Sequence, residues 1–178
     1  MQNLHSRPSW DEHGLNKAWV ESLRSTCRIK VGAAVTTSDT HRSLVSGYAG
    51  SLPGQPHCCD VGCDFHWVAP PYAPTLVVED SGTYVQARKS CQRTIHAEAN
   101  CFAVAASEGI PLRGATWYTV PFAPCATCAK LLIASGAHRV VYPEPPKGYE
   151  HYRESPLLVA AGLDVLIVAD WQPPVVEP

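Results

Sequence analysis

The chain has little excess charge of either sign. Its 178 residues carry 14 Lys and Arg against 16 Asp and Glu, a formal net charge of -2. That balance excludes a broad basic surface for nucleic acid but leaves room for a local anion pocket. No basic stripe with interleaved aromatics is present, which argues against a tRNA or long single-stranded partner. No apolar run reaches the ~20 residues that cross a bilayer. The first residues, Met1-Gln2-Asn3-Leu4-His5, lack the apolar stretch of a secretion signal. We therefore expect a cytoplasmic protein with no membrane partner. No segment repeats another. What is present is ordinary for a globular enzyme, 46% hydrophobic and 17% charged residues. The length predicts a single domain, 1–178, large enough to bury a core. Cysteine is plentiful, with eight residues. In a reducing compartment, clustered cysteines bind metal more often than they form disulfides.

Two short pieces organise the chain: His96-Ala97-Glu98 and Pro124-Cys125-Ala126-Thr127-Cys128. One imidazole and two thiols make three zinc ligands. A structural zinc takes a fourth protein ligand, whereas a catalytic one leaves that position to water. No fourth ligand stands beside this trio in sequence. Glu98, two residues from His96, is placed to reach such a water without binding the metal. A metal-activated water and a carboxylate that carries protons are the equipment of a hydrolytic deaminase. The order His-x-Glu, then Pro-Cys-x-x-Cys, resembles the signature of the zinc-dependent deaminases. A lone Cys-x-x-Cys would be weak, because redox pairs and zinc knuckles share it. The preceding proline and the upstream His-x-Glu make it specific. The expected chemistry is attack on the carbon bearing an exocyclic amine, C4 in cytosine. Glu98 would take the water proton, pass it to ring N3 and then protonate the departing amine. Backbone N–H groups near Ala97 and Cys125 are candidates to meet the ring carbonyl.

Local patterns place these pieces. Ser9 followed by Trp10-Asp11-Glu12 has capping-box spacing and predicts a helix to about residue 24, with Trp19, Val20 and Leu23 as its buried stripe. Residues 31–37 and 44–48 read as two strands of a hairpin. Between 49 and 90 Gly and Pro break the pattern, so a long loop insertion is expected there, held by a ligand or a metal. A helix is predicted from 94 or 95 to 107, ending before Gly109, and a strand over 115–120. Pro124 opens the next helix and Gly136 ends it. Strands at 139–142 and 164–168 flank a helix near 156–161, and the proline-rich tail 171–178 reads as loose. Alternating strands and helices after a hairpin predict an α/β fold: a three-layer α/β/α sandwich with a mixed sheet of about five strands. On this reading His96 and Glu98 lie in the first turn of one helix. Cys125 and Cys128 lie in the first turn of the next, at i and i+3, on one face. Helix N-termini favour thiolates and anions, and sites in such sheets form where helices begin.

Beyond the metal motif, several stretches resemble the deoxycytidylate (dCMP) deaminase family and its bacterial relatives from competence operons. They are Arg7-Pro8-Ser9-Trp10-Asp11, Val31-Gly32-Ala33-Ala34-Val35, Gly47-Tyr48-Ala49-Gly50, His57-Cys58, Arg93-Thr94-Ile95-His96-Ala97-Glu98-Ala99-Asn100, Pro124-Cys125-Ala126-Thr127-Cys128-Ala129-Lys130 and Ala161-Gly162. The resemblance implies conversion of dCMP and water to dUMP and ammonia by a zinc-dependent homo-oligomer, often regulated by dCTP and dTTP. It places Tyr48 and Ala49 at the substrate pocket. Two departures touch that pocket. The family has asparagine, which helps hold the sugar, where this chain has Ala49. It has threonine four residues before the first cysteine of the pair, where this chain has Pro121, with Thr119 two residues earlier. The strand end is therefore expected to be remodelled, and a modified cytosine nucleotide, a nucleoside or a free base stays open as substrate.

The resemblance also implies a second, structural zinc site, with Cys58 and Cys91 at two of its positions and Cys27 within one residue of a third. Cys63 or His57 would be the fourth ligand. Such a metal would hold the 49–90 loop; buried, inert thiols are the alternative. Cys101 reads as core. Arg88, Lys89 and Arg93 cluster just before His96 and are candidates for a substrate phosphate, a solvated charged face being the alternative. Tyr149 and Tyr152 are candidates to close over a base or simply pack. Trp10, Trp19 and Trp117 read as core. A non-enzymatic zinc-stabilised interaction module is the competing class, and it would not require Glu98.

Overall fold

The computed structural model describes residues 7–68, 77–79, 82–84, 88–150 and 153–174. In chain order the elements are α1 (Trp10–Ser22), β1 (Gly32–Thr36), β2 (Ser43–Tyr48), β3 (Gly50–Ser51), α2 (Cys58–Val61), β4 (Phe65–Val68), β5 (Val77–Glu79), β6 (Gly82–Tyr84), β7 (Arg88–Cys91), β8 (Thr94–Ile95), α3 (Ala97–Glu108), β9 (Thr116–Val120), α4 (Ala126–Ala134), β10 (Arg139–Pro143), α5 (Pro156–Ala160) and β11 (Asp164–Val168). The capping box at α1 is formed: the Glu12 N–H donates to Ser9 Oγ at 3.2 Å and the Ser9 N–H to Glu12 Oε2 at 2.6 Å.

Five strands form the main sheet in the order β11-β10-β9-β1-β2. Strands β9, β10 and β11 are parallel, and β1 runs antiparallel to both β9 and β2. This is the expected mixed sheet, with the initial hairpin supplying its antiparallel edge. Side chains alternate across it. Ala34, Tyr118, Val120 and Val141 face Leu15 and Ala18 of α1. On the other face Ala33, Val35, Trp117 and Val140 pack with Ala97, Cys101, Ala129, Leu132 and Leu158 of α3, α4 and α5. The architecture is therefore the three-layer α/β/α sandwich.

The buried stripe of α1 differs from the expectation. It consists of Gly14, Leu15, Ala18 and Ser22, while Val20 is 57% exposed and Leu23 is also exposed. Small residues won because α1 lies close against the sheet. A Cβ on Gly14 would sit 2.4 Å from the Tyr118 ring. Trp10, expected in the core, is 51% exposed and stacks on His41, at 4.6 Å between centroids. Trp117 is fully buried, as expected. The stretch 49–90, expected as a loop, carries α2 and short two-stranded ladders: β5 pairs with β6, β4 with β7 at its end, and β3 with β8 just beyond it. Pairing brought by the two returning arms overrides the Gly and Pro punctuation. The tail is anchored at its start: Trp171 Nε1 donates to Asn16 Oδ1 at 3.1 Å, and the ring packs edge-on against Trp19. Residues 175–178 lie outside the described residues.

The register places one end of the sheet. Gly32, at the start of β1, is opposite Tyr48 at the end of β2 and Val120 at the end of β9. The chain leaves β9 there to enter α4. It leaves β2 there to form β3, which pairs with the β8 strand that leads into α3. Gly47 permits this convergence. A Cβ at that position would lie 3.0 Å from the Ala97 carbonyl and 3.1 Å from Cys101 Sγ.

Candidate active site

His96 and Cys125 are the N-cap residues of α3 and α4, both in extended conformation. The sequence reading placed each inside a first turn; they stand one position before it. Each still feeds its carbonyl into its helix, to the N–H of Asn100 at 2.9 Å and of Ala129 at 2.8 Å. An extended N-cap leaves the side chain beside the helix mouth, where N–H groups and the helix dipole favour negative charge. Cys128 is the third residue of α4 and Glu98 the second of α3.

The two helix mouths bring the side chains together. Cys125 Sγ lies 3.4 Å and Cys128 Sγ 3.5 Å from His96 Nδ1. All three ligand atoms lie within 4.8 Å of one another. Tetrahedral zinc, with Zn–N about 2.0–2.1 Å and Zn–S about 2.3 Å, separates such N and S atoms by about 3.5 Å. The donor set and its spacing therefore fit the ion. Cys128 is buried, Cys125 half-buried and His96 exposed, so the group opens to solvent on one side.

The electrostatics favour a cation. Hydrogen bonding from Cys128, and then from His96, draws the Cys125 thiol down to about 3. Cys128 is pushed up in turn, first by its hydrogen bond to Cys125 and then by burial. A bound cation would favour the deprotonated form of both thiols. Glu98 is 4% exposed. Burial raises its carboxyl above the ordinary range, opposed by its own backbone N–H and by His96.

Residues 8–144 match the family model for the cytidine and deoxycytidylate deaminase zinc-binding region. The chain belongs to this deaminase family. It is 33% identical over 160 residues to ComE operon protein 2 of Bacillus subtilis, covering 89% of this chain and 71% of that protein. It is 36% identical over 140 residues to the deoxycytidylate deaminase of Mycobacterium phage D29, covering 78% of this chain and 98% of the phage protein. The dCMP deaminase of cyanophage S-TIM5 has the same fold, with a TM-score of 0.63 at 21% identity over 92% of this chain and 100% of that one. The deaminase is thus a zinc enzyme, and the His96, Cys125 and Cys128 group is able to hold the ion.

A second group of thiols assembles away from this deaminase's helix mouths. The sulfurs of Cys58, Cys63 and Cys91 lie within 4.8 Å of one another, with Cys58 and Cys91 3.6 Å apart. Cys58 opens α2, Cys63 follows the turn at Gly62, and Cys91 ends β7. Burial first, and then Cys91, pushes the Cys58 thiol up to about 12. Burial raises Cys91, but the backbone N–H groups of Arg93 and Asp64 outweigh it and leave this thiol lowered. Cys27, expected near this site, is not in the group, while Cys63 is. His57 caps α2 without a side-chain hydrogen bond to it, and Cys59 is exposed. Cys101 is core, as expected.

The substrate candidates gather along the end of β2. Ala97 and Ala49 are buried and Tyr48 is half-buried. Asn100 Nδ2 donates to the Tyr48 carbonyl at 3.2 Å, and Ser25 Oγ to the Ala49 carbonyl at 2.6 Å. The sequence reading had given no role to either donor. Asn100 was visible one helical turn after His96, whereas Ser25 carried no signal. Beyond β9 the chain turns through a cis Val120–Pro121 peptide, and Thr119 Oγ1 donates to the Phe122 carbonyl at 3.1 Å. Phe122 stacks on Tyr149, at 5.5 Å between centroids. Tyr152 and the side chains of Arg88 and Lys89 lie outside the described residues.

Proposed function

We propose that the chain converts dCMP and water to dUMP and ammonia. The observation that carries this reading is the buried carboxylate of Glu98 one residue past His96-Ala97, beside the His96, Cys125 and Cys128 group. Family membership and the deoxycytidylate deaminases among its relatives support the substrate. When bound, zinc brings the pKa of its water to about 7 and so supplies a nucleophile at neutral pH. His96, Cys125 and Cys128 hold the ion. Glu98 takes the water proton and delivers it to ring N3; it then takes the proton of the hydroxyl formed at C4 and passes it to the amine, which departs as ammonia while the C4 carbonyl forms. Burial of Glu98 raises its proton affinity, the direction such a relay needs. Backbone N–H groups of Ala97 and Cys125 meet the ring carbonyl. Tyr48, Ala49 and Arg93 border the nucleotide. Ala49 has no side-chain hydrogen bond to give a sugar, so other groups hold that end of the substrate.

The reading treats 1–178 as one cytoplasmic deaminase domain. Among the described residues no helix is long and apolar enough to cross a membrane. Cys58, Cys63 and Cys91 hold a second, structural zinc: their sulfur spacing supports this, and the metal would tie α2 to β7. A homo-oligomer regulated by dCTP and dTTP follows from the resemblance to the dCMP deaminases. The exposed Trp10, Val20 and Leu23 of the α1 region offer apolar surface for assembly. A structural zinc module without catalysis would leave the burial of Glu98 without a purpose. Ammonia release across a panel of cytosine nucleotides, nucleosides and free bases tests the reading. Release confined to dCMP, or strongest with it, is expected. Release from none of them overturns it.

A further inference from the structure

Cys91 stands five residues before His96. Between them Thr94 and Ile95 form β8, which pairs with β3, and His96 then caps α3. A shift of Cys91 is therefore passed along a short, backbone-paired segment to the helix mouth. Cys91 is also held from the other side. It pairs with Phe65 in the β4–β7 ladder, and the Gln92 N–H donates to the Asp64 carbonyl at 2.9 Å. That ladder sets the Cys91 sulfur 3.6 Å from the Cys58 sulfur, with Cys63 completing the group. Cys58 is 3% exposed, whereas Cys91 is half-buried and within reach of a small oxidant. A disulfide brings two sulfurs to about 2.05 Å, so bonding asks the two side chains for a combined approach of about 1.5 Å. The element able to yield is α2, which carries Cys58. It is a single turn of four residues ended by Gly62 at φ 83°, too short to be stable without its tertiary ties.

We propose that Cys58 and Cys91 are a redox switch: a peroxide joins them in a disulfide, which disturbs the approach to His96, and a thiol reductant restores them. The bond itself does not depend on the deaminase reading. The step balances with hydrogen peroxide as the oxidant. The Cys91 sulfur attacks one peroxide oxygen, the O–O bond breaks, and a sulfenic acid and one water form. The Cys58 sulfur then attacks the sulfenyl sulfur. The S–S bond forms, the S–O bond breaks, and the hydroxyl leaves with the thiol proton as a second water. The two thiols lose two electrons and the peroxide gains them. The disulfide no longer offers two thiolates, so a zinc ion is not retained by this group. The tie between α2 and β7 becomes a covalent one of different length, and the strand that leads to His96 is pulled with it.

The test treats zinc-loaded wild type with a small molar excess of hydrogen peroxide and maps its non-reduced digest by mass spectrometry. The Cys58 and Cys91 peptides should be linked, and two of the eight thiols should be lost to titration in denaturant. The metal held by this group should be released, and kcat/KM for dCMP should fall. Dithiothreitol and added zinc should restore both. Cys58→Ser and Cys91→Ser, each measured against its own untreated rate, should lose the peroxide response, while Cys59→Ser, at an exposed position, keeps it. If the Cys58 and Cys91 variants do not fold, the digest and its reversal in wild type decide. A first bond between Cys125 and Cys128, or one through Cys63, overturns the switch. So does a Cys58–Cys91 bond that leaves kcat/KM unchanged. If untreated wild type deaminates none of the cytosine compounds, the deaminase reading fails by itself. The rate at which a chelator strips zinc from the His96 group then replaces the kinetic readout. Faster stripping after oxidation upholds the switch, and equal stripping overturns it.

Discussion

Asn100 reaches from α3 to the end of β2, where its Nδ2 donates to the Tyr48 carbonyl at 3.2 Å. The helix capped by His96 thus also fixes the end of β2. Asn100→Ala should raise KM about 3- to 10-fold, the effect of losing one neutral hydrogen bond worth about 0.5–1.5 kcal/mol. Zinc content should not change. Asn100→Asp keeps the shape and loses the donor, so it should show the same defect. Wild-type KM in Asn100→Asp would show that packing, and not this bond, is what Asn100 provides.

Glu98→Gln keeps size and polarity but cannot take up and return a proton. General acid–base groups contribute about 10²–10⁴-fold, and one carboxylate here serves several transfers. A fall in kcat at or beyond the upper end of that range is expected, in a folded protein that retains its zinc. Steady-state deamination beside metal analysis and thermal unfolding decides it. Turnover near the wild-type rate would remove Glu98 from the chemistry.

The same carboxyl predicts a pH dependence in zinc-free protein. Burial raises its folded-state pKa above the ordinary 4.5. Below that value the group is protonated in both folded and unfolded chains, and its contribution is fully present. As pH rises above 4.5 the unfolded chain ionises first, so the contribution is lost up to the folded-state pKa. The stability difference, wild type minus Glu98→Gln, should therefore fall with rising pH. Denaturant unfolding of both proteins after chelation measures it, and a difference that grows with pH would contradict a raised pKa.

The metal assignments separate by mutation. Cys125→Ser should lose the active-site zinc and activity together, because a three-ligand site has no spare donor. Cys91→Ser should lower total zinc from two per chain to one and lower Tm, while the zinc at His96 remains. Metal analysis with anomalous scattering locates each ion. A fully active wild type with one zinc per chain would dismiss the second site.

Sequence alone determined the donor types, their grouping and the elements that carry them. His96, Glu98, Cys125 and Cys128 owe their placement to offsets of a few residues at two helix starts, and Ser9 with Glu12 starts α1 in the same way. Such offsets are set by the geometry of one turn, which a sequence displays directly. The alternation of strands and helices likewise made the three layers legible. Tertiary structure decided what depends on segments far apart in the chain. Cys63, and not Cys27, joins Cys58 and Cys91, because the pairing of Phe65 with Cys91 draws β4 and β7 together. Trp10 stays outside the core while Gly14 and Ala18 face it, because the closeness of α1 to Tyr118 admits only small side chains. Asn100 meets Tyr48, and Ser51 comes opposite Thr94, through a helix crossing and a strand register that local periodicity does not encode.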